Sequence, residues 1–130
     1  MRIRLPLFAM ILLCLFFVSI VSAQDAVKVD PTHYSVVSEN DQVRILKVHY
    51  GPHEKSVMHQ HPATVAVFLT DATGKFTFAD GKTQAFNVKA GDSQYDAATT
   101  HLPENTGDAG MDVIVVELKG HAAKHAMEKK

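Results

Sequence analysis

The chain has 130 residues, of which 46% are hydrophobic and 21% are charged, and its formal net charge is −1 at pH 7. This length and apolar content are sufficient for one folded domain with a single core. The near-neutral charge, without a basic stripe, excludes a nucleic-acid-binding surface.

The N-terminus has the pattern of a secretory signal peptide. Arg2 and Arg4 precede an uncharged apolar run over residues 5–21, and Ser22 and Ala23 then supply small residues at a cleavage position. We predict cleavage after Ala23, which makes residues 1–23 the signal peptide and the mature protein periplasmic or secreted, without membrane association. Because the run is just long enough to span a bilayer, an uncleaved anchor is the alternative.

The mature sequence contains no cysteine, since the only cysteine lies within the apolar run. An exported protein without cysteine has no disulfides, so its stability must come from packing. Removing Arg2 and Arg4 leaves 11 of the 13 basic residues against 14 acidic ones, a formal charge of −3. All eight histidines lie in the mature part, which is the one compositional oddity of the chain.

Short apolar runs separated by turn residues predict an all-β domain, either a sandwich or a barrel. A polar lead-in, which we expect to be loose, occupies residues 24–32. The predicted strands cover residues 34–37, 43–50, 64–70, 75–79, 82–88, 93–96 and 112–118. The nearly continuous apolar run over 64–70 predicts a strand covered on both faces, and Asp80-Gly81 predicts a tight hairpin turn.

We therefore divide the mature chain into a lead-in with the first strand (24–38), a barrel (39–119) and a polar tail (120–130). The tail is expected to be disordered or to form a short helical turn.

The first motif with chemical content is His59-Gln60-His61. Residues two apart in a strand point to the same face, so both imidazoles can converge on one metal ion. Such a pair alone is more often structural than ligating, but a third histidine, His101, follows 40 residues after His61.

Together these residues resemble the two motifs of the cupin family. In the first motif a glycine precedes H-x-H, and a glutamate and a second glycine follow. In the second, a glycine, a proline and another glycine precede H-x-x-x-N, and this chain has Ala97 and Thr99 where the proline and the second glycine are common. The matching residues are Gly51, His59, His61 and Gly74, then Gly91, His101 and Asn105. The resemblance covers residues 39–119 and implies a single-domain cupin, a jelly-roll-like β-barrel with His59, His61 and His101 as ligands of a divalent transition metal.

The chain departs from the family pattern at the glutamate ligand, because that position holds Val65 or Ala66. Three neutral imidazoles suit Fe, Zn, Cu or Ni better than Mn or Mg, and three protein ligands leave an open coordination position. In the family, iron sites with three histidines occur in dioxygenases. The resemblance therefore implies a small-molecule oxygenase as one hypothesis, without indicating a substrate or a catalytic residue.

The other hypothesis is a non-enzymatic cupin that binds a small ligand and retains a vestigial metal site. In that case the three histidines would hydrogen-bond to one another and to Gln94 or Tyr95. The apolar segment 65–68 would then form the mouth of the barrel, a common place for small ligands.

The remaining candidate residues are expected to lie outside the metal site. Glu104 lies three residues after His101 and should face the other side of the strand, and Asn105 is expected to anchor a loop. Phe76 and Phe78 are expected in the core. Surface, strand-end or tail positions are predicted for the other histidines, His33, His49, His53, His121 and His125. A homodimer is expected, formed through an edge strand or an exposed sheet face.

Overall fold

The structure, a computed structural model, describes residues 24–120. The predicted signal peptide and the two tail histidines, His121 and His125, lie outside the described residues. Within residues 24–120, no helix has the length and apolar character needed to cross a bilayer.

The described chain is almost entirely β-structure, which confirms the predicted fold class. One short helix, α1, covers Ala26–Val29. The nine strands are β1 Tyr34–Glu39, β2 Val43–Tyr50, β3 His59–His61, β4 Thr64–Phe68, β5 Ala72–Phe78, β6 Thr83–Val88, β7 Ser93–Asp96, β8 Thr99–Asn105 and β9 Met111–Leu118. The β-branched and aromatic run predicted over 43–50 coincides with β2.

The strands form two sheets, and all neighbouring strands within them are antiparallel. One sheet has five strands in the order β1-β2-β9-β4-β7, and the other has four in the order β3-β8-β5-β6. Apolar side chains from both sheets form the core between them, including Leu46, Val48, Tyr50, Phe68, Val88 and Met111. The site histidines belong to the four-stranded sheet.

Strand β4 alternates between two environments, so the prediction of a strand covered on both faces was wrong. Ala66 and Phe68 are buried, whereas Val65 and Val67 are half-buried. Val67 is the register partner of Ile114 on β9, which is also half-buried. The run looked continuous because apolar side chains also cover the outer face of the five-stranded sheet.

The lead-in is packed against the barrel, so the expectation of a loose segment was wrong. The Asp25 side chain accepts hydrogen bonds from the backbone N–H of Val27 at 3.0 Å and caps α1. Ala26 is fully buried. The backbone N–H of Gln60 on β3 donates to the carbonyl of Gln24 at 2.9 Å, which fixes the segment beside two of the site histidines.

At two positions the backbone geometry requires glycine. Gly81 has a φ of +83° in the turn between β5 and β6, which confirms the hairpin predicted at Asp80-Gly81. A Cβ on Gly74 would lie 2.3 Å from the Phe86 ring and 2.4 Å from the Glu104 carbonyl oxygen. Gly74 therefore allows β5 to approach its two neighbouring strands closely.

Candidate metal centre

The structure brings the three predicted ligands together on the inner face of the four-stranded sheet. β3 pairs with β8 so that His59 lies directly opposite His101, and His61 lies two residues along the same face. Candidate ligand atoms of the three imidazoles all lie within 4.8 Å of one another. His59 and His61 are only 1% and 4% exposed. The three side chains can therefore converge on a single ion.

The hydrogen bonds made by Nδ1 fix the tautomers of two of these histidines. Nδ1–H of His59 donates to the Val57 carbonyl at 2.8 Å, and Nδ1–H of His61 donates to Glu117 Oε1 at 2.7 Å. In the neutral imidazoles, Nε2 then carries a lone pair rather than a proton. The two Nε2 atoms face each other at 3.0 Å. Two facing lone pairs need a proton or a metal ion between them.

The third imidazole presents the same problem. Among the described residues, the buried Nε2 atom of His101 has no hydrogen-bond partner. An unpaired buried polar atom is costly and uncommon in folded proteins. One cation at the meeting point of the three Nε2 atoms would satisfy all of them, so the donor set fits a metal ion.

Burial favours the neutral form of two ligands. Burial, together with the repulsion that a protonated His61 would exert, lowers the pKa of His59 to about 4. The pKa of His101 falls to about 3, mainly through burial and further through His59 and His61. At neutral pH both imidazoles are therefore neutral, with a lone pair on one ring nitrogen, as metal ligation requires.

A buried carboxylate, which sequence reasoning missed, supports His61. Glu117 is 2% exposed, and it receives hydrogen bonds from His61 and from Arg44 Nε, the latter at 2.5 Å. Burial raises the pKa of Glu117, but the hydrogen bonds from His61 and Arg44 outweigh this effect and hold the pKa below its usual value. Arg44 also donates to Asp25, so the guanidinium links two carboxylates.

Arg44 and Glu117 each had a signal in the sequence, although their pairing did not. Both are charged residues at the inward-facing positions of apolar strands, in phase with Leu46 and Val48 on β2 and with Val113 on β9. The register places Arg44 directly opposite Glu117. A charge at a core position requires a partner or a function.

A second polar chain supports His59. Ser56 Oγ lies 3.2 Å from His59 Nδ1 and donates to Asp30 Oδ2 at 2.6 Å. His33 Nδ1 lies 2.8 Å from the same Asp30 oxygen, and its imidazole stacks on Tyr50 with ring centres 4.5 Å apart. With a side chain only 13% exposed, His33 is not the surface or strand-end residue that was predicted. It packs behind the site as part of the support of His59.

Four other residues predicted to lie outside the metal site are found where they were expected. His49 and His53 have side chains 58% and 62% exposed, and each pairs with a nearby aspartate. Glu104 faces outward and pairs with Lys75 at 3.3 Å. Asn105 is buried, and its side-chain amide donates to carbonyl groups in two neighbouring loops, so it anchors loops as predicted.

An apolar cavity of about 60 Å³ lies beside His61 and His101. Ala66 and Phe68 line it, whereas Val65 and Val67 do not. The expectation that the whole segment 65–68 lines the mouth was therefore half wrong. Of the two residues at the family's glutamate position, only Ala66 faces the site.

The cavity adjoins a groove of about 260 Å³ that reaches His101. Phe76 and Phe78 are half-buried and line this groove, so they are not the closed core residues that were predicted. The Phe76 ring stacks on the His101 imidazole at 5.0 Å with an angle of 4° and restrains its orientation. Gln94 and Asp96 complete the groove, with the Gln94 amide donating to Asp96 at 2.9 Å.

No profile of a known protein family matches the sequence, and no curated protein matches it. Solved structures do match. A cupin domain from Bordetella pertussis Tohama I has a TM-score of 0.62 and 19% identity, over 67% of this chain and 92% of that one.

Two further structures agree with this result. A double-stranded β-helix protein from Klebsiella pneumoniae subsp. pneumoniae has a TM-score of 0.56 and 22% identity, over 68% of this chain and 77% of its own. A cupin 2 conserved barrel domain protein from Salinispora arenicola has a TM-score of 0.53 and 16% identity, over 75% of this chain and 83% of its own. At these identities the likeness establishes the fold, which is the one predicted from the two motifs.

Proposed function

We propose that this small cupin-fold protein binds one divalent transition metal ion through the Nε2 atoms of His59, His61 and His101. The observation that carries the proposal is the convergence of three imidazoles whose candidate ligand atoms lie within 4.8 Å of one another, while the buried Nε2 of His101 has no partner among the described residues. Neutral imidazole ligands favour Fe(II), Zn(II), Cu or Ni(II) over Mg(II) or Mn(II).

The arrangement supports a reactive rather than a structural ion. Structural zinc sites are closed by four protein ligands, whereas catalytic sites keep an open position. Among the described residues only three side chains form the cluster, and it borders both the apolar cavity and the groove. Because three-histidine iron sites in the cupin family occur in dioxygenases, we propose from that resemblance that the protein is a small-molecule oxygenase.

In such an enzyme a bound redox-active ion would supply the oxidation chemistry, and the protein would supply the rest. Glu117 keeps the proton of His61 on Nδ1, so that Nε2 stays available as a ligand. Phe76 holds the His101 ring by stacking, and the walls of the cavity beside it are mostly apolar. Asp96 and Gln94 in the groove offer polar contacts that can orient a substrate.

The second candidate is a non-enzymatic binding module, which the apolar cavity and groove favour. Its vestigial version would have the histidines hydrogen-bonded to one another and to Gln94 or Tyr95. The Nε2 atoms of His59 and His61 do lie 3.0 Å apart, but with both Nδ1 atoms protonated neither Nε2 can donate a hydrogen bond. In the structure Gln94 bonds to Asp96 instead, and Tyr95 is 64% exposed. The predicted substitute partners are thus engaged elsewhere or turned away, which weakens the vestigial version relative to the metal-binding one.

Elemental analysis of the protein, purified without added chelator, tests the proposal. We expect about one transition metal ion per chain in the wild type and in His49→Ala, whose imidazole is exposed and remote from the cluster. His101→Ala should lose most of the metal, because two ligands remain. If the wild type is purified without metal and also binds no added Zn(II) or Fe(II), the metal proposal is wrong and the binding module is favoured instead.

A further inference from the structure

The segment over residues 24–30, here called the N-terminal strap, lies across β3, which carries two of the three histidines. Its backbone bonds to β3 through Gln24 and Gln60, and Asp25 forms a parallel bridge with Gln60. Ala26 is fully buried against the barrel. The strap is therefore fixed beside the strand that carries His59 and His61.

A continuous chain of charged hydrogen bonds joins the strap to a ligand. His61 Nδ1 donates to Glu117 Oε1 at 2.7 Å, and Arg44 Nε donates to the other Glu117 oxygen at 2.5 Å. The second arm of the Arg44 guanidinium donates to Asp25 on the strap. The side chain of Glu117 is 3% exposed and that of Arg44 17%, so water screens these contacts weakly.

This series of hydrogen bonds supplies negative charge that the three ligands themselves lack. A divalent ion held by three neutral imidazoles keeps its two positive charges, and the position of the family's glutamate ligand holds Val65 or Ala66. Glu117 is a buried carboxylate in contact with a ligand, one hydrogen bond further from the ion. Arg44 alone would cancel that charge, whereas Asp25 balances Arg44 and leaves the trio with one net negative charge.

We infer that Glu117 supplies, through His61, the negative charge that the absent glutamate ligand would have provided, and that Asp25 of the strap sustains it by sharing Arg44. This inference rests on the proposed metal site. Glu117, Arg44 and Asp25 are thus positioning residues that set how tightly His61 binds an ion. A carboxylate hydrogen-bonded to a ligating histidine raises its basicity and fixes its orientation.

Zn(II) competition titrations on the full mature protein test the inference, with Glu117→Gln, Asp25→Asn and the double variant. Glu117→Gln should weaken Zn(II) binding by about 10–100-fold, as expected for loss of a carboxylate behind a ligating histidine. Asp25→Asn should weaken it by about two- to fivefold, since its ion pair with Arg44 is partly exposed. Glu104→Gln, the same change on the outer face of β8, is the matched control and should leave affinity unchanged.

The double variant separates a positioning role from a merely structural one. If Asp25 acts through Arg44 and Glu117, its substitution should have no further effect in the Glu117→Gln background. The Co(II) absorption spectrum should keep its intensity in every variant, because the three ligands stay the same.

Three outcomes would overturn the inference while leaving the metal site intact. They are a Glu117→Gln affinity within twofold of wild type, additive effects in the double variant, and a Co(II) spectrum that reports a lost ligand. If Glu117→Gln does not fold, Asp25→Asn alone decides, and wild-type affinity in that variant overturns the inference. A wild type that binds no Zn(II) refutes the proposed function itself, which distinguishes the two failures.

Discussion

Ala66→Glu should restore an anionic ligand at the position where the cupin pattern has one. Ala66 lines the cavity beside His61 and His101 and is 9% exposed, so a glutamate there would point toward the three imidazoles. Carboxylate oxygen favours Mn(II) relative to softer ions. The wild type should therefore prefer Zn(II) over Mn(II), and the variant should narrow or reverse that preference.

The burial of the new side chain determines how much stability the metal-free variant loses. The cavity of about 60 Å³ is small and mostly apolar, so a metal-free carboxylate there would be desolvated and unpaired. Such a charge costs roughly 3 kcal/mol or more, which lowers the Tm of a domain of this size by at least about 12 °C. Metal at 100 times its Kd would return about 2.7 kcal/mol, most of the loss.

Thermal melts of the stripped and loaded proteins, run beside Zn(II) and Mn(II) titrations, measure both effects. Val65→Glu is the matched control, because it introduces the same group one residue away on the outer face of β4. It should cost about 1 kcal/mol and leave metal preference unchanged. If Ala66→Glu behaves like Val65→Glu, position 66 does not face an ion and the assignment of the site is wrong.

Three further predictions concern the fold, the assembly and the processing of the chain. Leu46→Ala, at a fully buried position, should lower the free energy of unfolding by about 2–5 kcal/mol in denaturant titrations. Val37→Ala, at a position 60% exposed, should change it by less than about 0.5 kcal/mol. Equal losses of stability in the two variants would show that Leu46 is not in the core. We propose a homodimer that covers the edge strand β7 and its Tyr95, which is 64% exposed. Tyr95→Lys should shift the sedimentation coefficient toward that of a monomer. A wild type that sediments as a monomer at high concentration would refute the dimer. We also propose export with cleavage after Ala23, for which the intact mass of protein from its native host should correspond to residues 24–130; retention of Met1 in a membrane fraction would indicate an anchor instead.

Most of the fold could be predicted from the sequence because its signals are local. Alternation of side chains, β-branched residues and turn pairs such as Asp80-Gly81 act within a few residues, and they placed β2 and the β5–β6 hairpin. The H-x-H spacing likewise follows from strand geometry alone. The continuous apolar run of β4 was ambiguous, since a strand with an apolar outer face has the same composition as one covered on both sides.

The support of the site could not be predicted in the same way because it depends on strand register and on the docking of the strap. Arg44 and Glu117 are 73 residues apart and meet only through the pairing of β2 with β9. Asp25 caps α1 through local hydrogen bonds, but its ion pair with Arg44, 19 residues away, appears only in the tertiary structure. His33 was likewise treated as a surface residue because nothing local indicates that its ring stacks on Tyr50, 17 residues further along the chain.

X-ray absorption spectroscopy of the Zn(II)-loaded protein can count the imidazoles bound to the ion. We expect a first coordination shell that includes three imidazole nitrogens at about 2.0–2.1 Å, assigned to His59, His61 and His101. In His101→Ala the imidazole count should fall to two, while in His53→Ala, whose exposed side chain pairs with Asp108, it should stay at three. A shell with fewer than three imidazoles in the wild type, or one that is unchanged in His101→Ala, would contradict the assignment of this metal centre.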